Sequence, residues 1–494
     1  MSFTVLLLIL AIVSAGLLFL LRFFKIEIKS LLINYLQIFF GLLFIVSGFV
    51  KAVDPLGFSY KMEEYFQEFQ TLFEPTFLSF INPVFVFFEH HALHVGIFMI
   101  VLEMIIGVML MIGFRPKLTA WAFFLLMLFF TILTGYTYLT GYVPKEANFF
   151  EFSKWAAYDN NNMRVTDCGC FGDFIKFSAW HTFLKDLIML VPGLLFIIKS
   201  QKKYRLFTDS KRLILIIAST ILFYFFNLYN YKWSEPIIDF RPFREGVNIR
   251  ERKDLELKAA ANVAEKAIIL QNKASGEIIE LPSEQYNATI SEYPQEKFSI
   301  MERIYEEPEI PTTEISDFLL EDLEGSDFTE DFLNDTDYSF LIVSPQMKGK
   351  PQPMSYTIQD TTFSYDTIKI SHTDSFSVVK KILKTEAKQV EAYDYVWDED
   401  YMKIIKQHIN PLVLSATADS TNIYFASATS VDMVLDFIKD GGPYMIYLNS
   451  DDITLKTIMR SNPGVALFKD GVILKKWHYK QLPSYEEIKR KFMK

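Results

Sequence analysis

The chain of 494 residues contains two cysteines, and they stand two positions apart in Thr166–Asp167–Cys168–Gly169–Cys170–Phe171–Gly172–Asp173. Sulfurs at this spacing have three chemical uses. A Cys–X–Cys disulfide closes a small, strained ring, and strain raises its reduction potential, so incoming dithiols reduce it readily. Such a pair suits an oxidant or isomerase of thiols. The same bond can instead brace a loop and take no part in chemistry. Metal binding is the third use, but two sulfurs are too few ligands and the spacing is not that of a zinc module. No metal is assigned. Gly169 supplies the backbone freedom to close the ring. Asp167 and Asp173 flank the pair and oppose formation of the thiolate, the reactive species. Redox pair and inert brace both stay open on this footing.

His181 follows the cysteine loop and shares a helical face with Lys185, four residues on. Positive charge stabilises a thiolate, so His181 is a candidate for tuning Cys168 or Cys170; it serves equally as an interfacial histidine without a role. Glu103 lies in the middle of an apolar stretch, where a carboxylate must be neutral, paired or turned to a polar cavity. Lys51 with Asp54, and Lys185 with Asp186, are the charged groups available nearby. Glu103 paired to Lys51 or to Lys185 makes either an outward-facing polar pocket or a structural clasp that fixes helix order. His90, His91 and His94 read as an interfacial collar, since no acidic or cysteine partner is placed with them.

The elements that must hold these residues are read from hydropathy. The composition is 51% apolar and 16% aromatic, yet mean hydropathy is only +0.18, so the apolar residues are concentrated. Six stretches long enough to cross a bilayer fall at about 3–23, 32–51, 92–114, 118–140, 180–199 and 212–231, and none follows Lys232. Residues 1–231 carry 18 basic and 15 acidic side chains; the remainder carry 31 and 44. An acidic soluble half argues against nucleic-acid binding, which needs basic surface to meet phosphates. The first stretch lacks a basic start and reads as an anchor rather than a cleaved signal. Basic residues gather after the first and third stretches and between the fifth and sixth, as in Arg22, Lys25, Arg115, Lys117, Lys202, Lys203 and Arg205. By the positive-inside bias these loops are cytoplasmic. The N-terminus, the cysteine loop and the whole soluble half are then expected outside, on the periplasmic face of a bacterial inner membrane, where disulfides persist.

The run Gly41 to Lys51 and the run Glu103 to Arg115, with Gly107 and Gly113, resemble the DoxX family of four-helix membrane proteins. The Cys–Gly–Cys–Phe–Gly run resembles the MauE branch of that superfamily. The resemblance covers about 32–200 and implies a role in thiol–disulfide maturation of exported proteins. The first and sixth stretches are additions to that four-helix core. With a single cysteine couple, a relay would have to pass electrons to a separate protein or to a membrane quinone.

Past the membrane, 251–265 reads as a helix, and Ala267–Gln271 with Glu277–Leu281 as a hairpin. Residues 282–338, with 17 acidic side chains against 2 basic, read as a solvated connector or a docking surface for a basic partner. Strands are expected on either side of the turn in Phe318–Phe328, and at Ser339–Ser344, Leu412–Ala416 and Tyr444–Leu448. Gly464–Phe468 and Val472–Trp477 should pair across Lys469–Asp470–Gly471. Helices are expected at Asp400–His408, Val431–Lys439, Ile453–Arg460 and Tyr485–Phe492. This order, with Arg460–Ser461–Asn462–Pro463–Gly464, resembles the thioredoxin fold over about 315–494, and Asp322–Leu323–Glu324–Gly325 its TlpA and ResA type. The resemblance implies that Pro463 is the cis-proline shaping the partner groove. The family's Cys–X–X–Cys is replaced by Pro345–Gln346–Met347–Lys348, and an insertion at about 346–398 follows.

The expected fold is an α-helical integral membrane bundle, a four-helix core plus two extra spans, followed by a soluble α/β thioredoxin-like domain. Its parts are 1–31 (extra span and cytoplasmic loop), 32–200 (membrane core with the cysteine loop), 201–250 (sixth span and juxtamembrane segment), 251–314 (hairpin and connector) and 315–494. Two functions are expected from it: an envelope protein whose Cys168–Cys170 pair assists thiol–disulfide handling of exported proteins, or a non-catalytic docking subunit of a larger membrane or export assembly. Its partners are membrane lipids and other envelope or exported proteins.

Overall fold

The computed structural model describes residues 2–165, 169–306, 308–369 and 376–493. Eight helices make the first half: α1 (Phe3–Phe23), α2 (Leu31–Val53), α3 (Pro55–Phe73), α4 (Asn82–His90), α5 (Ala92–Ile112), α6 (Pro116–Thr140), α7 (Ala179–Ile198) and α8 (Asp209–Lys232). Six of them, all but α3 and α4, are long and apolar enough to cross a membrane, at bounds within a few residues of those read from hydropathy. α2, α5 and α6 are the most enclosed of the six, whereas α1 and α8 leave most of their surface uncovered. Glycine permits a close helix contact. A Cβ on Gly107 would lie 2.8 Å from the Gly41 carbonyl oxygen, so only hydrogen at this position lets α2 and α5 approach so closely.

The two ends of the bundle differ. At one, Arg212 donates to the Gly113 carbonyl at 3.0 Å, Asn34 to the Lys202 carbonyl at 3.2 Å and Gln37 to the Leu110 carbonyl at 2.7 Å. The basic connections α5–α6 and α7–α8 are thereby gathered together. The other end carries α3, α4, the cysteine loop and the soluble half. Asp54 caps α3 through the Gly57 amide at 3.2 Å, and Pro55 occupies the first turn, where its missing N–H costs nothing.

The soluble half opens with α9 (Ile249–Ala261), β1 (Glu265–Asn272), β2 (Ile278–Pro282), α10 (Ser283–Ala288) and β3 (Phe298–Tyr305). The expected hairpin is present, Ala267 facing Pro282 and Gln271 facing Ile278. The acidic stretch after it is not only a connector: β3 pairs antiparallel with the far edge of β1, giving the order β2–β1–β3. Ile268, Leu270, Leu281 and Tyr286 form a small core there.

The remainder runs α11 (Thr329–Leu333), β4 (Tyr338–Val343), β5 (Gly349–Lys369), β6 (Phe376–Trp397), α12 (Glu399–Ile404), α13 (Asn410–Ala418), β7 (Asn422–Ser427), α14 (Val431–Lys439), β8 (Ile446–Asn449), α15 (Asp452–Ile458), β9 (Gly464–Lys469), β10 (Val472–His478) and α16 (Tyr485–Phe492). The central sheet has the order β10–β9–β4–β7–β8. β4, β7 and β8 are parallel; β9 pairs antiparallel with β4, and β10 antiparallel with β9 at the sheet edge. Both faces are buried. Phe340 and Ile342 enter one core with Phe425 and Leu467, while Leu341 and Val343 enter the other with Tyr424 and Phe468. A strand covered on both faces reads as an unbroken apolar run, as Ser339–Ser344 does.

Two expectations fail here. Leu412–Ala416 is not a strand but lies in α13, which Pro411 opens at its first turn. Phe318–Phe328 forms no regular strands, only a turn in which the Phe328 amide donates to the Leu320 carbonyl at 2.8 Å and Glu321 bridges Asp327. The insertion is a long antiparallel ribbon, β5 against β6.

Candidate functional site

Of the cysteine pair, Cys168 lies outside the described residues. Cys170 lines a small pocket with Ser47, Lys51, Glu103, Lys185, Asp186 and Phe171 among others. The pocket therefore unites five of the residues singled out by type and spacing. Its volume is about 20 Å³, room for one water molecule and too little for a quinone ring. Lys51 of α2 donates to Glu103 Oε2 of α5 at 2.6 Å and to Ser47 Oγ at 3.3 Å, with both charged side chains at most 5% exposed. Of the two partners open to Glu103, the structure pairs it with Lys51. Ser47 also donates to the Cys170 carbonyl at 3.0 Å, fixing the loop on α2.

On α7, Lys185 Nζ lies 2.9 Å from Asp186 Oδ1 and reaches the Cys170 sulfur. Among the described residues, both Asp186 carboxylate oxygens are buried without a hydrogen-bond donor, so the pair is ionic without good hydrogen-bond angles. Burial pushes the Cys170 thiol up, and Asp186 adds to this; Lys185 and Lys51 act against it. In the reduced state the Cys170 sulfur thus has a cation at hand.

His181 stands apart. It is exposed in the first turn of α7, where its Nδ1 is 2.6 Å from the hydroxyl of the capping residue Ser178, and it does not line the pocket.

A second cluster joins the membrane half to the soluble half. Arg460, between α15 and β9, donates from Nε to both Asp54 oxygens at 2.9 Å and from Nη2 to Oδ2 at 2.7 Å. Its Nη2 also lies 3.9 Å from Asp173 of the cysteine loop. Burial would raise the Asp54 carboxyl, but Arg460 outweighs it and holds the group below its ordinary value. Asp173 is pushed the other way by burial, which Arg460 and Lys176 only partly offset. Glu235, just after α8, accepts from the Arg460 and Ser461 amides at 3.1 and 2.9 Å and from Arg241 at 2.9 Å. Lys176 of the cysteine loop pairs with Glu314 at 2.5 Å. Asp54 and Arg460 are 406 positions apart, and no local pattern in the sequence marks them as partners.

Between these contacts lies a chamber of about 520 Å³. Its walls include Tyr60, Glu63 and Glu68 of α3, Gly169 and Gly172 of the cysteine loop, and Gln346, Lys456 and Arg460 of the soluble half. Gln346 belongs to Pro345–Lys348, at the carboxyl end of β4. There the Asn462 side chain donates to the Gln346 carbonyl at 2.7 Å and accepts from Ser344 Oγ at 2.6 Å. The Asn462–Pro463 peptide is cis. Pro463 itself is buried; Asn462 is the partly exposed member.

Residues 29–144 match the family model of methylamine utilisation protein MauE. The match runs from just before α2 to just past α6, so it contains Lys51 and Glu103 and stops short of the cysteine loop. No curated protein and no solved structure matches the chain.

Proposed function

We propose that this chain is a membrane-anchored accessory of thiol–disulfide exchange, facing the periplasmic side of a bacterial inner membrane, with Cys168 and Cys170 as the reacting pair. The observation that carries the proposal is the pocket behind Cys170, which two lysines and two carboxylates from α2, α5 and α7 line together, with Lys185 reaching the sulfur. The gathering of basic connections at the opposite end of the bundle supports the orientation. Similarity to MauE over 29–144 supports a membrane accessory role.

In the exchange, a substrate thiolate attacks one sulfur of the Cys168–Cys170 bond, forming a mixed disulfide and releasing the other sulfur as thiolate. When Cys170 is the leaving group, Lys185 offsets the cost of its charge in the buried pocket. A second substrate thiolate then attacks the mixed disulfide. The substrate leaves oxidised, and Cys168 and Cys170 hold two electrons and two protons, which pass to a membrane quinone or to a partner's disulfide.

The C-terminal part is, in this reading, a thioredoxin-like module that binds and does not react. Support comes from the strand order β10–β9–β4–β7–β8, the cis peptide before β9, and Pro345–Lys348 standing without cysteine after β4. The ionic interlock of the two halves favours a second reading, a non-catalytic docking subunit. Replacing both cysteines by Ser separates the two. Exchange predicts that exported partners accumulate as free thiols while complexes assemble normally, and that in Cys170→Ser the Cys168 thiolate, attacking the disulfide of a reoxidising partner, stays trapped with it as a mixed disulfide. Unchanged partner disulfides with lost assembly would establish the docking subunit instead.

A further inference from the structure

We propose that the chamber between the two halves is the substrate site, and that it takes an extended polypeptide segment in which Lys or Arg neighbours the reacting cysteine. The inference rests on the thiol-exchange reading and names its substrate class. A volume of about 520 Å³ is that of a ligand site, large enough for several residues of an extended chain and too small for a folded domain. Gly169 and Gly172 put the side-chain-free backbone of the cysteine loop on its wall, at φ +59 and +48. Lys51 lines the chamber and turns its ammonium to Glu103 in the inner pocket. The chamber and the Cys170 pocket thus share one wall.

The charges of the chamber select the ligand. Its cations are engaged: Arg460 with Asp54, Arg241 with Asp239 and Glu235, Lys456 with Asp452, and Lys61 with Glu64. Arg164 donates to the carbonyls of Pro144, Lys145 and Ala147. Glu63 and Glu68 form no ion pair within 4.0 Å among the described residues, and burial pushes both carboxyls up. Two further buried acceptors on the same walls, Glu314 Oε2 and Asp452 Oδ1, lack a donor among the described residues. Half-buried carboxylates with spare acceptor capacity are satisfied by an incoming ammonium or guanidinium, whereas a segment with Asp or Glu beside its cysteine would be repelled.

The test uses the full chain with Cys168→Ser and Cys170→Ser, in lipid nanodiscs, so that binding is read without exchange. Fluorescent octapeptides carry Ser in place of cysteine, flanked by Lys and Arg, by Gln, or by Glu. The basic peptide should bind about tenfold tighter than the Gln peptide, and the Glu peptide more weakly than either. Glu63→Gln with Glu68→Gln should remove most of that preference, while Glu486→Gln on α16, which does not line the chamber, should not. Equal affinities overturn the proposal; so does a preference that survives Glu63→Gln/Glu68→Gln, since it then belongs to the acidic surface at large. Should that variant not fold, a photoreactive basic peptide decides: crosslinks within 54–68 and 452–460 sustain the site, and crosslinks elsewhere overturn it. A redox-inert cysteine pair with intact binding would defeat the exchange reading alone.

Discussion

At the scale of single residues, the decisive feature is two lysines and two acids held in an apolar surround. Lys51 and Glu103 are both nearly inaccessible, so removing one leaves the other charged and unpaired. Lys51→Met should cost roughly 3–5 kcal/mol, and Lys51→Met with Glu103→Gln considerably less, because an apolar replacement of the whole pair avoids the stranded charge. Thermal unfolding of the purified protein in detergent checks both. Much of this cluster was legible in the sequence, because an acid in a spanning helix demands a partner and few were on offer. Spacing alone left the place of His181 open. Four residues place it on the face of Lys185, but face is not depth: His181 occupies the exposed first turn, held by Ser178, while Lys185 sits a turn deeper against Cys170. Lys185→Met should therefore slow alkylation of reduced Cys170 at pH 8 several-fold, by removing the cation that favours its thiolate. His181→Ala should leave that rate unchanged. Rates measured with an iodoacetamide probe decide between them.

At the scale of elements, the six spans were plain from hydropathy, since a bilayer imposes both length and composition. The soluble half was less so. Leu412–Val413–Leu414 is a short apolar run that suits strand or helix alike, and the helix is marked only by Pro411 at its first turn. β3 escaped notice because its side chains are mostly exposed, and its pairing partner β1 lies beyond an intervening helix. The Asp54–Arg460 clasp is the element contact with the sharpest consequence. Arg460→Ala should free the soluble half from the carboxyl end of α2, seen as faster hydrogen exchange in α15 and residues 54–60 with the spans unchanged. The pH dependence follows from the sign of the shift. The native Asp54 carboxyl titrates below its ordinary value of 3.8, so its contribution is fully present above 3.8 and fades as pH falls through the lower native value. Amide protection of α15 should hold down to about pH 4 and weaken below it in the wild type. In Asp54→Asn it should be low throughout.

At the scale of the whole molecule, the chain folds its acidic half back onto the end of its membrane half that carries α3 and the cysteine loop. Juxtamembrane residues 235–241 carry the junction: Glu235 holds Arg460 and Ser461, and Asp239 holds Arg241 and Lys476. The face that bears Gln346 and Arg460 is thereby turned toward the cysteine loop, across a chamber that both halves line. No periodicity or motif foretells this, because the contacts join residues hundreds of positions apart. The account stands or falls on whether Cys168 and Cys170 change oxidation state while the protein works. Native membranes, acid-quenched and labelled with a thiol-reactive mass tag before and after a brief pulse of reductant, give that directly. Exchange predicts a mixture of oxidised and reduced pairs that shifts within the pulse and returns when the reductant is removed. A pair that is fully oxidised and resists the pulse contradicts it, and makes the cysteines a brace for the loop.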